Sequence, residues 1–212
     1  DYLYLVLHYP VHNKQNKETR AREVDIIATK DTVITVRLQS ILPIKGLYDS
    51  LNLYEEEREK TMGQGAGFLL HSIIEGMWES SLVKLTRVNQ GLRRIEEEIF
   101  EGNEGPMVEE ISLAKTDIIN FWKIVSPQID TMQELRDEGT EVYGKDLRPY
   151  FSHLLTNAHY IQHDLSTLKE AVAALEETNN SLLTFKTNEI VKILTMFSVV
   201  VFPLTLLAGI FG

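Results

Sequence analysis

The run Ile193 to Gly212, ILTMFSVVVFPLTLLAGIFG, holds no charged side chain over 20 residues. It continues directly from Lys186-Thr187-Asn188-Glu189-Ile190-Val191-Lys192 with no Gly or Pro between the two. Twelve of the 20 residues are Leu, Ile, Val or Phe. A helix needs about 20 such residues to cross ~30 Å of hydrocarbon. Here they contribute roughly −4 to −7 kcal/mol of insertion free energy, partly offset by Thr195, Ser198, Pro203 and Thr205. Residues 192–212 are therefore read as a transmembrane helix. Lys186 and Lys192 border it upstream, which by the positive-inside rule places the N-terminal region in the cytoplasm.

The polar groups of this run recur in a direction. Asn188, Val191, Thr195, Ser198, Phe202, Thr205 and Gly209 follow a 3-4-3-4-3-4 spacing and share one face, whereas Leu194, Phe197, Val201, Leu204 and Ile210 are apolar and assigned to the opposite side. A helix wholly in lipid has no reason to gather amides and hydroxyls on one stripe; a pore or a helix–helix seam does. Spacing alone leaves both open. Rings of neutral oxygens around an axis suit an ion that keeps its waters, and Mg²⁺ dehydrates reluctantly. Apolar rings such as Val191 and Leu194 would close such a path by dewetting.

Working upstream, Leu147, Phe151, Leu154, Ala158, Ile161, Leu165, Leu168, Val172, Leu175, Asn179 and Leu182 keep a strict 4-3 alternation. That pattern predicts a coiled coil or long bundle helix with one polar break at Asn179. Helix from 146 to 210 would extend roughly 95 Å. Before it, Trp78, Leu82, Leu85, Val88, Leu92, Ile95 and Ile99 predict a helix over 65–100, and Val108, Ile111, Ile118, Trp122, Val125, Ile129 and Met132 a second over 107–142. Glu101-Gly102-Asn103-Glu104-Gly105-Pro106 between them supplies a stop and restart, so the two form an antiparallel hairpin. Pro127 is expected to kink the second helix. A shorter helix is expected over 46–61, with Leu47, Leu51 and Tyr54 on one side and Glu55-Glu56-Glu57 near its end.

The first 40 residues read as strands. Tyr2 to Leu7 is a short apolar run bounded by Pro10; Val24–Thr29 and Thr32–Leu38 flank Lys30-Asp31 as a hairpin; the polar run from Asn13 to Glu23 is a loop. Three strands do not make a sheet covered on both faces, so further strands are expected before Asp1. The chain opens inside an apolar run with no initiator Met and closes on apolar residues, and is read as an excerpt. The fold class is α+β, mainly α. Its expected parts are 1–62, the C-terminal part of an α/β domain; 63–144, the hairpin; 145–191, a stalk helix; and 192–212, the span.

A formal charge of −10 argues against non-specific nucleic-acid binding, and the lack of cysteine excludes disulfides and thiolate metal sites. No base and nucleophile stand at a credible spacing, so catalysis is not expected. His159 and His163, i and i+4, have metal-ligand spacing but read more simply as a solvated or interface pair. His8, His12 and His71 have no partner by spacing. Gly63, Gly65 and Gly67 lack the Lys-Ser/Thr of a phosphate loop.

Lys186-Thr187-Asn188-Glu189, followed by Phe202-Pro203-Leu204-Thr205-Leu206-Leu207-Ala208-Gly209-Ile210-Phe211-Gly212, closely resembles the stalk-to-pore segment of the CorA magnesium and cobalt transport family, which reads K-T-N-E and then P-L-T-x-x-A-G-I-x-G-M-N. Tyr150-Phe151, Trp122, Pro127 and the strand-then-helix order fit more loosely. The resemblance implies a homopentamer in the cell (inner) membrane. Its transported and regulatory ion would be Mg²⁺, with Co²⁺ or Ni²⁺ also accepted, and no organic cofactor is implied. It further implies a pore lined by Asn188, Val191, Leu194, Thr195, Ser198, Phe202, Thr205 and Gly209, with Val191 and Leu194 as gate. Gly212 matches the first residue of Gly-Met-Asn. His153 stands where the family carries a cation-sensing carboxylate, and Glu177 matches a second acidic stalk position. Zinc-transporting relatives share the same span. The rival reading is a tail-anchored coiled-coil protein without transport, its 188–209 stripe serving as an oligomerisation seam.

Overall fold

The computed structural model describes residues 2–13 and 18–212. Three antiparallel strands come first: β1 (Leu3–Asn13), β2 (Glu18–Ala28) and β3 (Val33–Val36). They lie in that order, with Leu3 opposite Ala28 and Asp25 opposite Val36. Six helices follow: α1 (Leu42–Leu53), α2 (Glu55–Met62), α3 (Ala66–Phe100), α4 (Glu104–Val125), α5 (Gln128–Tyr143) and α6 (Arg148–Phe211). A single 3-10 turn, Lys145–Leu147, leads into α6. The mixed class and the β2–β3 hairpin are as the sequence predicts.

β1 and β2 are longer than expected, whereas β3, at four residues, is shorter than the expected Thr32–Leu38. Asn13 and Glu18–Glu23, expected in a loop, belong to β1 and β2, and residues 14–17, like Asp1, lie outside the described residues. Pro10 sits inside β1 rather than bounding it. The reason is in the backbone. His8 N–H donates outward, away from β2, to Gln128 Oε1 at 3.1 Å. Pro10 shares the parity of His8, so the donor it lacks belongs to the outer edge and the ladder loses nothing. Gln128 returns the bond, donating to the His8 carbonyl at 2.7 Å. Its buried amide thus takes the place of a neighbouring strand. Leu3, Leu5, Leu7 and Tyr9 of β1 and Val24, Ile26 and Ala28 of β2 point into the helices, while Tyr2, Tyr4, Ile34 and Val36 are exposed on the other face.

Two helices are broken where one was expected. α1 starts at Leu42 because Pro43 is acceptable in a first turn. Tyr54 is extended (φ −115°, ψ 114°) and ends it. Glu55-Glu56-Glu57 therefore open α2, where they face the positive end of the helix dipole, instead of closing α1. Pro127 does more than kink its helix. It separates α4 from α5, and Gln128 is freed to reach β1. Val108, expected on the buried stripe of α4, is exposed, while Ile111, Ile118, Val125, Ile129 and Met132 are buried as predicted.

The heptad stripe of α6 is filled by the chain's own helices. Phe151, Leu154, Ala158, Ile161, Leu165 and Val172 are fully buried in one continuous core with residues of α3, α4 and α5. Gly139 permits the closest approach: a Cβ there would lie 2.8 Å from Phe151 Cε2. Gly144, at φ 96°, turns the chain from α5 toward α6. Asn179, the polar break in the stripe, is 1 % exposed and donates from Nδ2 to the Glu104 carbonyl at 3.1 Å. It pins the start of α4 to the stalk.

Candidate functional site

Beyond Leu183 the side chains of α6 are exposed, apart from a half-buried Ser198. The most apolar 18-residue window has a mean hydropathy of 2.3 and no buried residue. This is a helix long and apolar enough to cross a membrane, standing clear of the folded domain. At about 100° per residue, Asn188, Val191, Thr195, Ser198, Phe202, Thr205 and Gly209 fall within an arc of about 100°. Leu194 was assigned by spacing to the opposite side. In a regular helix it lies only about 20° beyond Thr205, at the margin of the polar stripe.

The hydroxyls on the stripe are all oriented alike. Thr195 Oγ1 donates to the Val191 carbonyl at 2.8 Å, Ser198 Oγ to Leu194 at 2.9 Å, and Thr205 Oγ1 to Val201 at 2.9 Å. Each proton is spent inside the helix. Each oxygen therefore presents lone pairs outward as an acceptor. The waters around a cation point their hydrogens away from it, so they need acceptors. Pro203 has no N–H for the Val199 carbonyl, which adds one more oxygen without its usual helical partner.

A second group of residues lies where the stalk leaves the bundle tip. Lys186 Nζ is 2.5 Å from Glu104 Oε2 and donates to the Gly102 carbonyl at 3.2 Å. The bond from Lys186, and then that from its own backbone, hold the Glu104 carboxyl below its ordinary value of 4.5, against the effect of burial. The lowered value sets the sign. The ion pair stabilises the tip fully above that ordinary value, and its contribution disappears as pH falls through the lower folded value. Hydrogen-exchange protection of the first turn of α4 should accordingly fall on acidification below pH 4.5. Lys186→Met should lower that protection already at neutral pH; unchanged protection in that variant would show that the pair fastens nothing.

A third group surrounds His153. On α3, His71 and Glu75 stand one turn apart, and His153 enters from the second turn of α6. His71 Nδ1 is 3.5 Å from Glu75 Oε2, and His153 Nδ1 is 3.5 Å from Glu75 Oε1. One ligand atom from each lies within 4.8 Å of the other two. Burial is the main force lowering the His71 pKa; the Glu75 carboxylate opposes it and His153 adds to it. His71 is therefore a neutral imidazole at pH 7. The Tyr150 ring lies edge-on to it at 5.3 Å. Spacing had given His71 no partner, yet Glu75 at i+4 was visible in the sequence; His153, 82 positions away, was not. Glu177 is elsewhere, exposed beside Glu176, Asn180 and Thr184. His159 and His163 are both exposed, and the structure brings neither to the other groups described here.

A mixed domain fused through one 64-residue helix to an uncharged, unburied apolar end is the architecture of a membrane-anchored protein with a cytoplasmic-type bundle. Residues 1–212 match the family described as CorA-like Mg²⁺ transporter protein, and the chain belongs to it. It is 25% identical over 213 residues to the cobalt/magnesium transport protein CorA of Thermotoga maritima, covering 100% of this chain and 60% of that one. The complete structure of the CorA magnesium transporter from Methanocaldococcus jannaschii superimposes with a TM-score of 0.79 at 21% identity, over 93% of this chain and 61% of the other. The full-length CmaX structure does so with a TM-score of 0.82 at 16% identity, over 100% and 63%. The chain thus spans about three fifths of the length of these relatives.

Proposed function

We propose that α6 lines the path of a divalent-cation transporter that carries Mg²⁺, and Co²⁺ or Ni²⁺ less selectively, down the membrane potential into the cell. Copies of α6, five in the homopentamer, surround an axis in the cell membrane with residues 192–212 in the bilayer and the N-terminal region in the cytoplasm. The parts 1–62, 63–144 and 145–191 then act as sheet domain, hairpin and stalk. Asn188, Thr195, Ser198 and Thr205 accept hydrogen bonds from the water shell of the ion, while Phe202 and Gly209 complete the wall. Val191 and Leu194 close the narrowest part, and Gly212 opens the entrance sequence. His153 and Glu177 are the stalk positions at which a bound cation favours the closed state.

The gathering of Asn188, Thr195, Ser198 and Thr205 on one face of an otherwise apolar, exposed helix is the observation that carries this reading. An ion crossing with its waters meets acceptors, and acceptors are what Thr195, Ser198 and Thr205 present. Thr195→Val, Ser198→Ala and Thr205→Val together keep the shape of the wall and remove those acceptors. Losing about 1.4 kcal/mol of ion stabilisation slows passage about tenfold. Mg²⁺ uptake by cells relying on the protein should therefore fall by at least that factor with membrane content unchanged. Unaltered uptake would exclude the stripe as the ion path and favour its use as a helix–helix seam.

A further inference from the structure

We propose that Lys84 of α3 is a proton-operated latch that holds the edge of β1 against the helical bundle and releases it when the cytosol acidifies. The inference goes beyond the transport reading and does not depend on it, since protonation and release both take place in the folded domain.

Lys84 reaches from α3 to the outer edge of β1. Its Nζ donates to the Pro10 carbonyl and lies 3.6 Å from the centroid of the Tyr9 ring. One turn earlier on α3, Ser80 Oγ stands 2.6 Å from Tyr9 Oη. The Pro10 carbonyl, like that of His8, points off the side of the strand away from β2, so no ladder donor competes for it. The seam behind this contact is loose. A void of about 10 Å³ is bordered by Leu7, His8, Pro10, Trp78, Ser81 and Gln128. Trp78 Nε1, buried at the same seam, has no hydrogen-bond partner. Surfaces packed this loosely part at lower cost than a filled core.

The surroundings of Lys84 favour its neutral form. From β1 it meets a ring face and one carbonyl; the charges that act on it, Arg22 of β2 and Arg87 of α3, are both positive. His8 and His12, the histidines of β1, face Glu23 and Asp117 instead. Burial first, and then Arg22 and Arg87, bring the Lys84 amine down from 10.5 to about 7. A neutral amine still donates to the Pro10 carbonyl and packs on the ring. An ammonium in the same place carries a charge that water holds better, beside two other cations. Lys84 is only half-buried, and its flexible four-carbon stem can carry the charge out to solvent. The folded value lies below that of the unfolded chain, which sets the sign. The contribution of the site to stability is fully present above pH 10.5, declines as pH falls toward 7 and is lost below it.

The latch lies between the sheet and the helices that carry the stalk. α3 forms one wall of the core that encloses the buried stripe of α6. The same edge of β1 is also held by Gln128 of α5, through His8. Protonation of Lys84 removes the α3 fastener and leaves the one from α5, so the sheet swings about His8 instead of coming away. Cytosolic pH is thereby coupled to the seating of the sheet on the bundle.

Competitive acetylation of the full chain in detergent, read by mass spectrometry as a function of pH, reports the neutral fraction of each lysine. Lys84 should titrate with a midpoint near 7. A midpoint in the ordinary lysine range, about 10.4, would overturn the proposal. Hydrogen exchange of β1, corrected for its intrinsic pH dependence, measures release. Around a pKa of about 7 the protonated fraction rises roughly tenfold from pH 8 to pH 6, and protection of β1 should fall by that factor. Lys84→Met keeps the apolar contact without the charge and should leave β1 protected at both pH values. Lys84→Arg, charged throughout, should leave it unprotected at both. The pair His8→Gln with His12→Gln should retain the pH response. A response that persists in Lys84→Met, or that vanishes with the two histidines, would overturn the latch. Neither readout involves ion flux, so a pore that does not conduct leaves this inference standing, and a failure here leaves the pore reading untouched.

Discussion

On the proposed pore reading, Leu194→Asp is expected to make the ion path leak. Val191 and Leu194 are successive apolar positions at and beside a stripe that otherwise carries amides and hydroxyls. In the proposed pore they form adjacent greasy rings, and water evacuates a narrow apolar constriction. A hydrated ion cannot follow into a dry segment without losing its shell. A carboxylate ring at position 194 wets the constriction and attracts cations to it. Removing even about 1.4 kcal/mol of the dewetting barrier raises flux about tenfold. Mg²⁺ influx into vesicles at high internal Mg²⁺, where the path should be closed, is the measurement. Influx as low as that of the unaltered protein would remove Leu194 from the gate. The marginal position of Leu194 on the helix makes the test demanding, since a small rotation of α6 takes it out of the path.

Phe151→Ala should be the most destabilising single truncation in the folded domain. Phe151 is fully buried at the start of α6, 6.3 Å ring to ring from Tyr143 and in contact range of the α5 backbone at Gly139. Truncation removes its apolar area and leaves a cavity that two long, mutually braced helices cannot collapse into. Comparable Phe→Ala changes cost roughly 3–5 kcal/mol. Denaturant unfolding followed by the fluorescence of Trp78 and Trp122 would report it, since both tryptophans lie in the bundle. A loss below about 1 kcal/mol would mean that the bundle repacks freely at this point. Gly139→Val probes the same contact from the other side. Its branched side chain meets the Phe151 ring where even a Cβ comes within 2.8 Å, so overpacking should cost about 1–3 kcal/mol.

The reading of α6 illustrates why some features were legible before folding was considered. Periodicity and charge are local properties, and a helix converts them directly into faces. Hence the stalk stripe from Leu147 to Leu182, the span from Ile193 and the polar arc from Asn188 to Gly209 could all be placed from spacing. The breaks at Tyr54 and Pro127 could not be fully placed. A proline allows a kink or a stop, and the choice fell to the stop because Gln128 gains three hydrogen bonds, to His8 and Ile124, at the new helix start. Pro10 was misread for a similar reason. Whether a strand tolerates proline depends on which edge its missing donor faces, and that is settled only when the neighbours are known.

By itself the sequence determined that the chain has strands followed by long helices, that its end is suited to lipid and that one face of this end is polar. These follow from residue order within a single element. Only the tertiary structure decided that the heptad stripe is filled by α3, α4 and α5, that Lys186 closes on Glu104, and that His153 meets His71 and Glu75. Such contacts join residues some 80 positions apart. Their existence depends on how helices pack around a shared core, which no local pattern encodes.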